Sequence, residues 1–219
     1  MTVLVAAGCG DPTTATVDTS VGTEAMPLTF VVSADAVELP PELEDTSTNP
    51  FTVAEVPCDA TCPETEDVTV TCEAEFCDPD PVTVSVQVGD VYDLERTQSS
   101  LQLGEVDSFE ILSIDYTVVE NTLNMDVPSL QAFWSSAGAV EGETPLGTVD
   151  PIPEGELPAG TVALDEAGAE AMSDYLLNQE AKVRFFVQTE LDLDPGDPWP
   201  TGKLDVDVII HVRIHGSLI

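Results

Sequence analysis

The sequence predicts an all-β protein: a β-sandwich, Ig-like in the broad sense, with one short inserted helix and a disulfide-stapled loop region. Three observations predict this fold. Short runs of β-branched residues alternate with turns rich in proline, glycine and aspartate from residue 28 onward. A single segment has helical spacing. Four of the 5 cysteines fall within residues 58–77.

The strand signal is strongest where aliphatic and polar residues alternate. Residues 82–88 alternate four valines with threonine, serine and glutamine, and residues 203–215 place six aliphatic side chains on one face. The other face of residues 203–215 is mostly polar, which predicts a sheet with one buried and one solvated face. Residues 109–119 change phase within the run, which predicts a bulge or a strand that changes sheets. Further strands are expected at residues 28–39 and 182–190.

One segment between these strands has the spacing of an α-helix. Ala169, Met172 and Leu176 recur three or four residues apart, and Asp165 precedes them where an N-cap residue belongs. We expect the helix to end near Asn178.

Acidic side chains dominate the composition. The chain has 42 Asp and Glu against 5 Lys and Arg, for a formal net charge of −37. Such a chain repels phosphate backbones and anionic lipid headgroups, which excludes nucleic acid as a partner and a basic membrane-binding patch. The charge also opposes compaction unless counter-ions screen it. We interpret it as a solvated acidic surface suited to a salty medium, with specific Ca²⁺ binding as the alternative.

The N-terminal apolar run ends in small residues followed by a cysteine. Ala6-Ala7-Gly8-Cys9 resembles the lipobox of bacterial lipoproteins. That resemblance implies cleavage before Cys9, attachment of a diacylglycerol to its sulfur and acylation of the new amino group. The apolar run is shorter than that of a usual signal sequence, so the natural start is expected upstream of Met1.

The resemblance divides the chain into three parts. Residues 1–8 would be a truncated signal and lipobox segment, residues 9–27 a flexible polar tether, and residues 28–219 one β-sandwich domain. Within that domain, residues 40–80 are expected to form an excursion held by disulfides.

The clustered cysteines, Cys58, Cys62, Cys72 and Cys77, are expected to form two disulfides. Four thiolates can also bind zinc, but zinc knuckles usually have two-residue spacings, and an exported chain favours disulfides. Three pairings are open. A turn at residues 63–67 would favour the nested one, which joins Cys62 to Cys72 and Cys58 to Cys77.

The best candidate metal ligands are Asp192, Asp194 and Asp197, which lie around a Pro-Gly turn. Three carboxylates on a tight loop suit Ca²⁺, although the same residues also make an ordinary acidic hairpin turn. Trp199 lies two residues further on, where an exposed ring would provide a stacking platform for a sugar. A structural role is the alternative for Trp199, and Trp134 is expected in the core.

Catalytic motifs are absent from the sequence. There is no Gly-x-Ser-x-Gly nucleophile motif and no phosphate-binding glycine loop, and carboxylates are too abundant for any pair to indicate a glycosidase. The two histidines, His211 and His215, would lie roughly 13 Å apart on a strand and cannot bind one metal ion together. Both are expected to face solvent, and Arg213 between them is expected to pair with a carboxylate of the neighbouring strand.

These features predict a non-catalytic, lipid-anchored protein of the bacterial cell envelope, on its periplasmic or extracellular face, that acts as a structural or interaction module. Its partners would be the lipid bilayer, through acylated Cys9, and another envelope protein or a glycan. The alternative is a Ca²⁺-dependent carbohydrate-binding or adhesion module, and a hydrolase is a distant third. Apart from Ca²⁺ in that alternative, no cofactor is expected.

Overall fold

The structure, a computed structural model, describes the backbone of residues 4–6, 14–32, 40–48, 51–58, 61–63, 68–100 and 103–218, and side chains at 40–48, 51–58, 61–63, 68–99 and 105–217. The described helices are α1 (Leu94–Ser100) and α2 (Glu166–Asn178), with a 3-10 turn at Pro41–Leu43. The strands are β1 Leu4–Ala6, β2 Thr14–Val32, β3 Glu44–Asp45, β4 Thr52–Val53, β5 Val70–Glu73, β6 Phe76–Pro79, β7 Val82–Asp93, β8 Leu103–Asn121, β9 Leu130–Ser136, β10 Thr144–Val149, β11 Ala159–Thr161, β12 Ala163–Leu164, β13 Lys182–Leu191 and β14 Gly202–Leu218.

Most strands form two five-stranded sheets. The front sheet has the strand order β1-β2-β14-β8-β11, and the back sheet has the order β12-β10-β9-β13-β7. The pairs within both sheets are antiparallel. One hydrophobic core contains buried side chains from both sheets. The β-sandwich predicted from the sequence is therefore confirmed.

Strand β14 lies inside the front sheet, between β2 and β8. Its aliphatic side chains at every second position from Leu204 to Ile214 are buried, whereas Asp205, His211 and Arg213 on the other face are partly exposed. Burial of each aliphatic side chain contributes roughly 1.5–3 kcal/mol relative to exposure. The predicted division into one buried and one solvated face is confirmed.

Strand β8 keeps its aliphatic side chains in the core by means of bulges. Its register with β14 slips so that Leu112 and Val119 have no direct partner. These two side chains are exposed, whereas Ile111 and Ile114 on either side of Leu112 are both buried. The phase change predicted for this segment is therefore a bulge, and the strand stays in one sheet.

Helix α2 confirms the single helix that the sequence predicts. The backbone N–H of Gly168 donates to the carboxylate of Asp165, the N-cap residue, at 2.7 Å. Met172 and Leu176 are buried in the main core. Gly168 is required because a Cβ atom at this position would collide with the carbonyl oxygen of Pro145 in β10.

The short helix α1 has no counterpart among the sequence predictions. Asp93 caps it, since its Oδ1 accepts a hydrogen bond from the backbone N–H of Arg96 at 3.1 Å. The helix is too short to show an apolar repeat, which is why periodicity misses it. Within the part of the chain that the structure describes, neither helix is long and apolar enough to cross a membrane.

The N-terminal boundary differs from the prediction. Strand β2 pairs with β14 from Thr14, opposite Ser217, to Val32, opposite Gly202. The predicted flexible tether over residues 9–27 is therefore wrong from Thr14 onward. Its threonines and valines look like a polar spacer in composition, but they are β-branched and suit a strand beside β14. Cys9 and the predicted strand residues 33–39 lie outside the described residues.

Candidate functional site

A second, smaller core lies where residues 40–80 meet the connection between β13 and β14. We call the described residues of 40–80 the disulfide module and residues 192–201 the acidic loop. Apart from Cys9, the site residues predicted from the sequence all belong to these two segments. The buried side chains of this core are Leu43, Val53, Val68, Val70, Cys77, Leu193 and Trp199.

The four cysteines of the disulfide module form two disulfides, Cys58–Cys72 and Cys62–Cys77. The Cα atoms are 5.8 Å apart in the first pair and 5.5 Å apart in the second. The prediction that these residues form disulfides is confirmed. The nested pairing of Cys62 with Cys72 and Cys58 with Cys77 is wrong, because the two bonds interleave along the chain.

The position of the hairpin turn explains the different pairing. Strands β5 and β6 pair directly, and Cys72 lies opposite Cys77 in their ladder. The turn between them is at Ala74 and Glu75, both with positive φ. Residues 63–67 were predicted to turn, and positions 64–67 lie outside the described residues. Cys72 and Cys77 therefore lie on opposite arms of the β5–β6 hairpin and not together on one arm facing residues 58–62, so the register from which the nested pairing was predicted does not apply.

Trp199 is the anchor of the second core. Its side chain is only 1% exposed, and its ring stacks on Phe51 with the centroids 5.1 Å apart. The prediction of an exposed stacking platform for a sugar is therefore wrong. Trp134 is buried in the main core, as predicted, and its Nε1 donates to the carbonyl oxygen of Gly168 at 3.0 Å.

Backbone hydrogen bonds hold the acidic loop against the disulfide module. The N–H of Val53 donates to the carbonyl oxygen of Asp197 (2.9 Å), and the N–H of Gly196 donates to that of Val53 (2.7 Å). The N–H of Trp199 donates to the carbonyl oxygen of Phe51 at 2.7 Å. Gly196 has φ +95, a conformation that favours glycine. Residues 196–199 therefore lie against residues 51–53, with an isolated antiparallel bridge between Thr52 and Pro198.

The three aspartates of the acidic loop are exposed. Asp194 and Asp197 hydrogen-bond each other through the turn, with the Asp194 N–H 3.3 Å from Asp197 Oδ2. Among the described residues, the cluster of three potential metal ligands consists of Cys58, Cys62 and Cys77, whose sulfurs are in disulfides. Asp192, Asp194 and Asp197 are not part of that cluster, and Ca²⁺ binding by these residues stays a prediction.

Two carboxylates of the loop, those of Asp192 and Asp194, lie close enough to Asp78 of β6 to raise its pKa. Burial raises the pKa of Asp78, and the neighbouring charges of Asp194, Glu73 and Asp192 raise it further. Asp78 Oδ1 is inaccessible to solvent and has no hydrogen-bond partner. The junction of loop and module therefore concentrates negative charge around one partly buried carboxylate.

Replacing Asp78 by asparagine is expected to raise the free energy of unfolding at neutral pH by about 0.5–2 kcal/mol. The raised pKa means that the folded protein binds this proton more tightly than the unfolded chain does. The stabilisation that this bound proton provides is present at pH values below 3.8, the ordinary pKa of the group. It is lost as the pH rises through the higher pKa of the folded protein. The advantage of the variant should therefore grow from acidic to neutral pH in urea unfolding experiments.

Asp90→Asn is the matched control, because it removes the same formal charge from an exposed side chain that is not among the charges that raise the pKa of Asp78. It should change stability less than Asp78→Asn does. Equal gains from the two variants would mean that only the total charge matters and that Asp78 has no special environment.

Comparison of the chain with protein-family models found no match, and comparisons with curated proteins and with solved structures found none either.

The solvated face of the front sheet carries the two histidines. His211 Nε2 lies 3.1 Å from Asp115 Oδ2, and the hydroxyl of Thr161 donates to Asp115 Oδ1 at 2.9 Å. Arg213 pairs with Glu110 of β8 at 3.5 Å, as predicted for a cross-strand carboxylate. Ser113 is the cross-strand neighbour of His211 in the ladder between β14 and β8. The polar groups on this face pair across strands of an open sheet.

Proposed function

We propose that this chain is a non-catalytic, acidic structural or interaction protein, anchored by a lipid on Cys9 to the bacterial cell envelope on its periplasmic or extracellular face. The observation that carries the proposal is the use of the cysteines. Four of the 5 are consumed by Cys58–Cys72 and Cys62–Cys77, a pattern typical of an oxidising compartment. The fifth, Cys9, is the residue that the lipobox resemblance assigns to the lipid.

The sheet topology supports an orientation for the anchored protein. Thr14 pairs with Ser217 at one end of β14, and Val32 pairs with Gly202 at the other end. The acidic loop immediately precedes Gly202, so it lies at the end opposite Thr14. Five residues of chain from Cys9 reach Thr14, at most about 18 Å when fully extended. The Thr14 end of the sandwich would therefore lie near the bilayer. Cleavage before Cys9 removes β1 and leaves the ladder between β2 and β14 intact.

The disulfide module and the acidic loop would face away from the membrane. Strand β14 has 17 residues, which corresponds to roughly 50 Å along the strand between its two ends. We therefore propose the acidic, disulfide-bonded end as the face presented to another envelope protein. A glycan is less well supported as a partner because Trp199 is buried.

The cavities support a binding or structural role over catalysis. The cavity between the sheets measures about 50 Å³ and is lined by side chains such as Val88, Phe185 and Ile210, far below the 300–1,000 Å³ of ordinary ligand sites. An open groove of about 520 Å³ lies between α2 and β8 and contains the carboxylates of Glu110, Glu166 and Glu170. Glu110 pairs with Arg213, and Glu166 lies in the first turn of α2, where a carboxylate is favourable. Glu110 thus has an ion-pair partner, and Glu166 lies where the helix dipole stabilises it.

Metabolic labelling with a palmitate analogue tests the proposal. The gene, expressed with its natural upstream sequence in a bacterial host, should give a labelled, membrane-bound protein. Cys9→Ser should abolish labelling and release the protein into the soluble fraction. The double variant Cys58→Ser with Cys72→Ser is the matched control, because it removes two cysteines and should keep the label. Labelling that survives Cys9→Ser would overturn the lipid anchor.

A further inference from the structure

We propose that this chain forms a two-fold symmetric dimer in which β7 of one copy pairs antiparallel with β7 of a second copy, through residues 82–88. The dimer would join the two back sheets into one continuous sheet. It goes beyond the proposed function and does not require the lipid on Cys9.

Strand β7 is the edge of the back sheet. It pairs with β13 on one side, and among the described strands none hydrogen-bonds to its other side. It also contacts β2 of the front sheet, but no ladder joins the two strands. Such an edge presents unpaired backbone donors and acceptors, which is the usual template for adding a strand.

The inner face of this edge is incompletely covered. Val88 is only 3% exposed, but Val82, Val84 and Val86, which alternate with it, remain partly exposed. A strand added to the edge would extend the sheet over the margin of the core, where these valines lie. Their burial, together with the new backbone hydrogen bonds, supplies the driving force for association.

The sequence of the edge is complementary to itself. With Ser85 on the two-fold axis, antiparallel pairing places Val84 opposite Val86 and Val82 opposite Val88 of the other copy. Valines then meet valines on the inner face, and Thr83 meets Gln87 on the outer face. This symmetry is the feature that selects a second copy as the occupant.

The charge distribution also favours a second copy at this edge. Residues 81–89 contain no charged side chain, in a chain with a net charge of −37. The polar side chains there are held by β13: Gln188 Nε2 donates to Ser85 Oγ at 3.3 Å, and an Arg184 nitrogen donates to Gln87 Oε1 at 3.0 Å. The ladder over residues 82–88 therefore brings no carboxylates together, and the nearest ones, Asp80 of one copy and Asp90 of the other, lie just beyond its two ends. Gly89, with φ +60, breaks the strand regularity and ends the ladder.

Sedimentation equilibrium of the protein, in a high-salt buffer that screens the net charge, tests the proposal. The wild type should show a reversible monomer–dimer equilibrium in the micromolar to millimolar range. Ser85→Asp, which places two carboxylates opposite each other on the axis, should weaken the dimer at least about tenfold. Ser108→Asp is the matched control, because it adds the same charge to an exposed serine of the front sheet, and it should leave the dimer unchanged.

A spin label identifies the surface that is used. In a Cys9→Ser background, a label on Ser85→Cys should show strong dipolar broadening in the dimer, because directly opposite Cβ atoms lie about 5 Å apart. A label on Ser108→Cys should show none.

Three outcomes would overturn the proposal. The first is a monomer at all concentrations in high salt. The second is a dimer that Ser85→Asp does not weaken. The third is a dimer whose Ser85 labels are not broadened, which would place the interface on another surface. Circular dichroism melting of each variant confirms that it is folded, so that a loss of dimer reports on association.

Discussion

Replacing Trp199 by alanine is expected to lower the free energy of unfolding by about 3–5 kcal/mol, as for other large buried aromatic residues. The side chain is 1% exposed and forms the centre of the small core between the disulfide module and the acidic loop. Its loss leaves a cavity and removes the stack on Phe51. Because this core is separate from that of the sandwich, the loss should appear first as local opening of the loop and module. Urea unfolding and amide hydrogen exchange measure the two effects.

Phenylalanine substitutions at the two tryptophans provide the control. Trp199 Nε1 is buried without a hydrogen-bond partner, so Trp199→Phe should cost less than about 1.5 kcal/mol. Trp134 Nε1 donates to the carbonyl oxygen of Gly168, and Trp134→Phe removes this buried hydrogen bond, at a cost of about 0.5–1.5 kcal/mol beyond the loss of ring volume that both variants share. Trp134→Phe should therefore destabilise more than Trp199→Phe. The reverse order would contradict the buried, unpartnered position of the Trp199 indole.

Removing either disulfide is expected to destabilise the module by about 3 kcal/mol, the usual entropic effect for loops of this size. The sequence separations are 14 for Cys58–Cys72 and 15 for Cys62–Cys77, and the module has few other buried side chains to replace them. Reduction of both should unfold the module and free the acidic loop while the sandwich remains folded. Hydrogen exchange before and after reduction should show protection lost at residues 51–58 and 70–79 and kept in β13 and β14. Loss of protection throughout the chain would contradict two separate cores.

Peptide mapping of the unreduced protein tests the pairing itself. It should recover Cys58 linked to Cys72 and Cys62 linked to Cys77. A peptide joining Cys62 to Cys72 would instead support the nested arrangement.

Periodicity was sufficient to predict the sandwich because its main strands have one apolar face. The alternation from Leu204 to Ile214 predicts both the strand and its buried side, and the capped helix at Asp165 follows from spacing alone. Strand β2 was misjudged because threonine and valine in a polar segment form a strand only when a partner is available, and β14 supplies that partner.

The site was harder to predict because long-range pairing determines it. The hairpin turns at Ala74 and Glu75, both with positive φ. Neither is a glycine or asparagine, the residues that usually indicate such a turn, so the sequence does not predict how the cysteines align. Trp199 lies between prolines, as in an exposed loop, and its burial depends on Phe51, which is remote in sequence. The loop aspartates lie close together in sequence, but in the fold the charges of Asp192 and Asp194 raise the pKa of Asp78, which belongs to another strand.

Intact mass spectrometry of the native protein extracted from membranes tests the central claim most directly. A lipid-anchored, disulfide-bonded protein should begin at Cys9, carry the mass of a diacylglycerol and an amide-linked acyl chain, and show the mass deficit of two disulfides. An unmodified Cys9 that still follows Gly8 in the mature chain would contradict the lipid anchor.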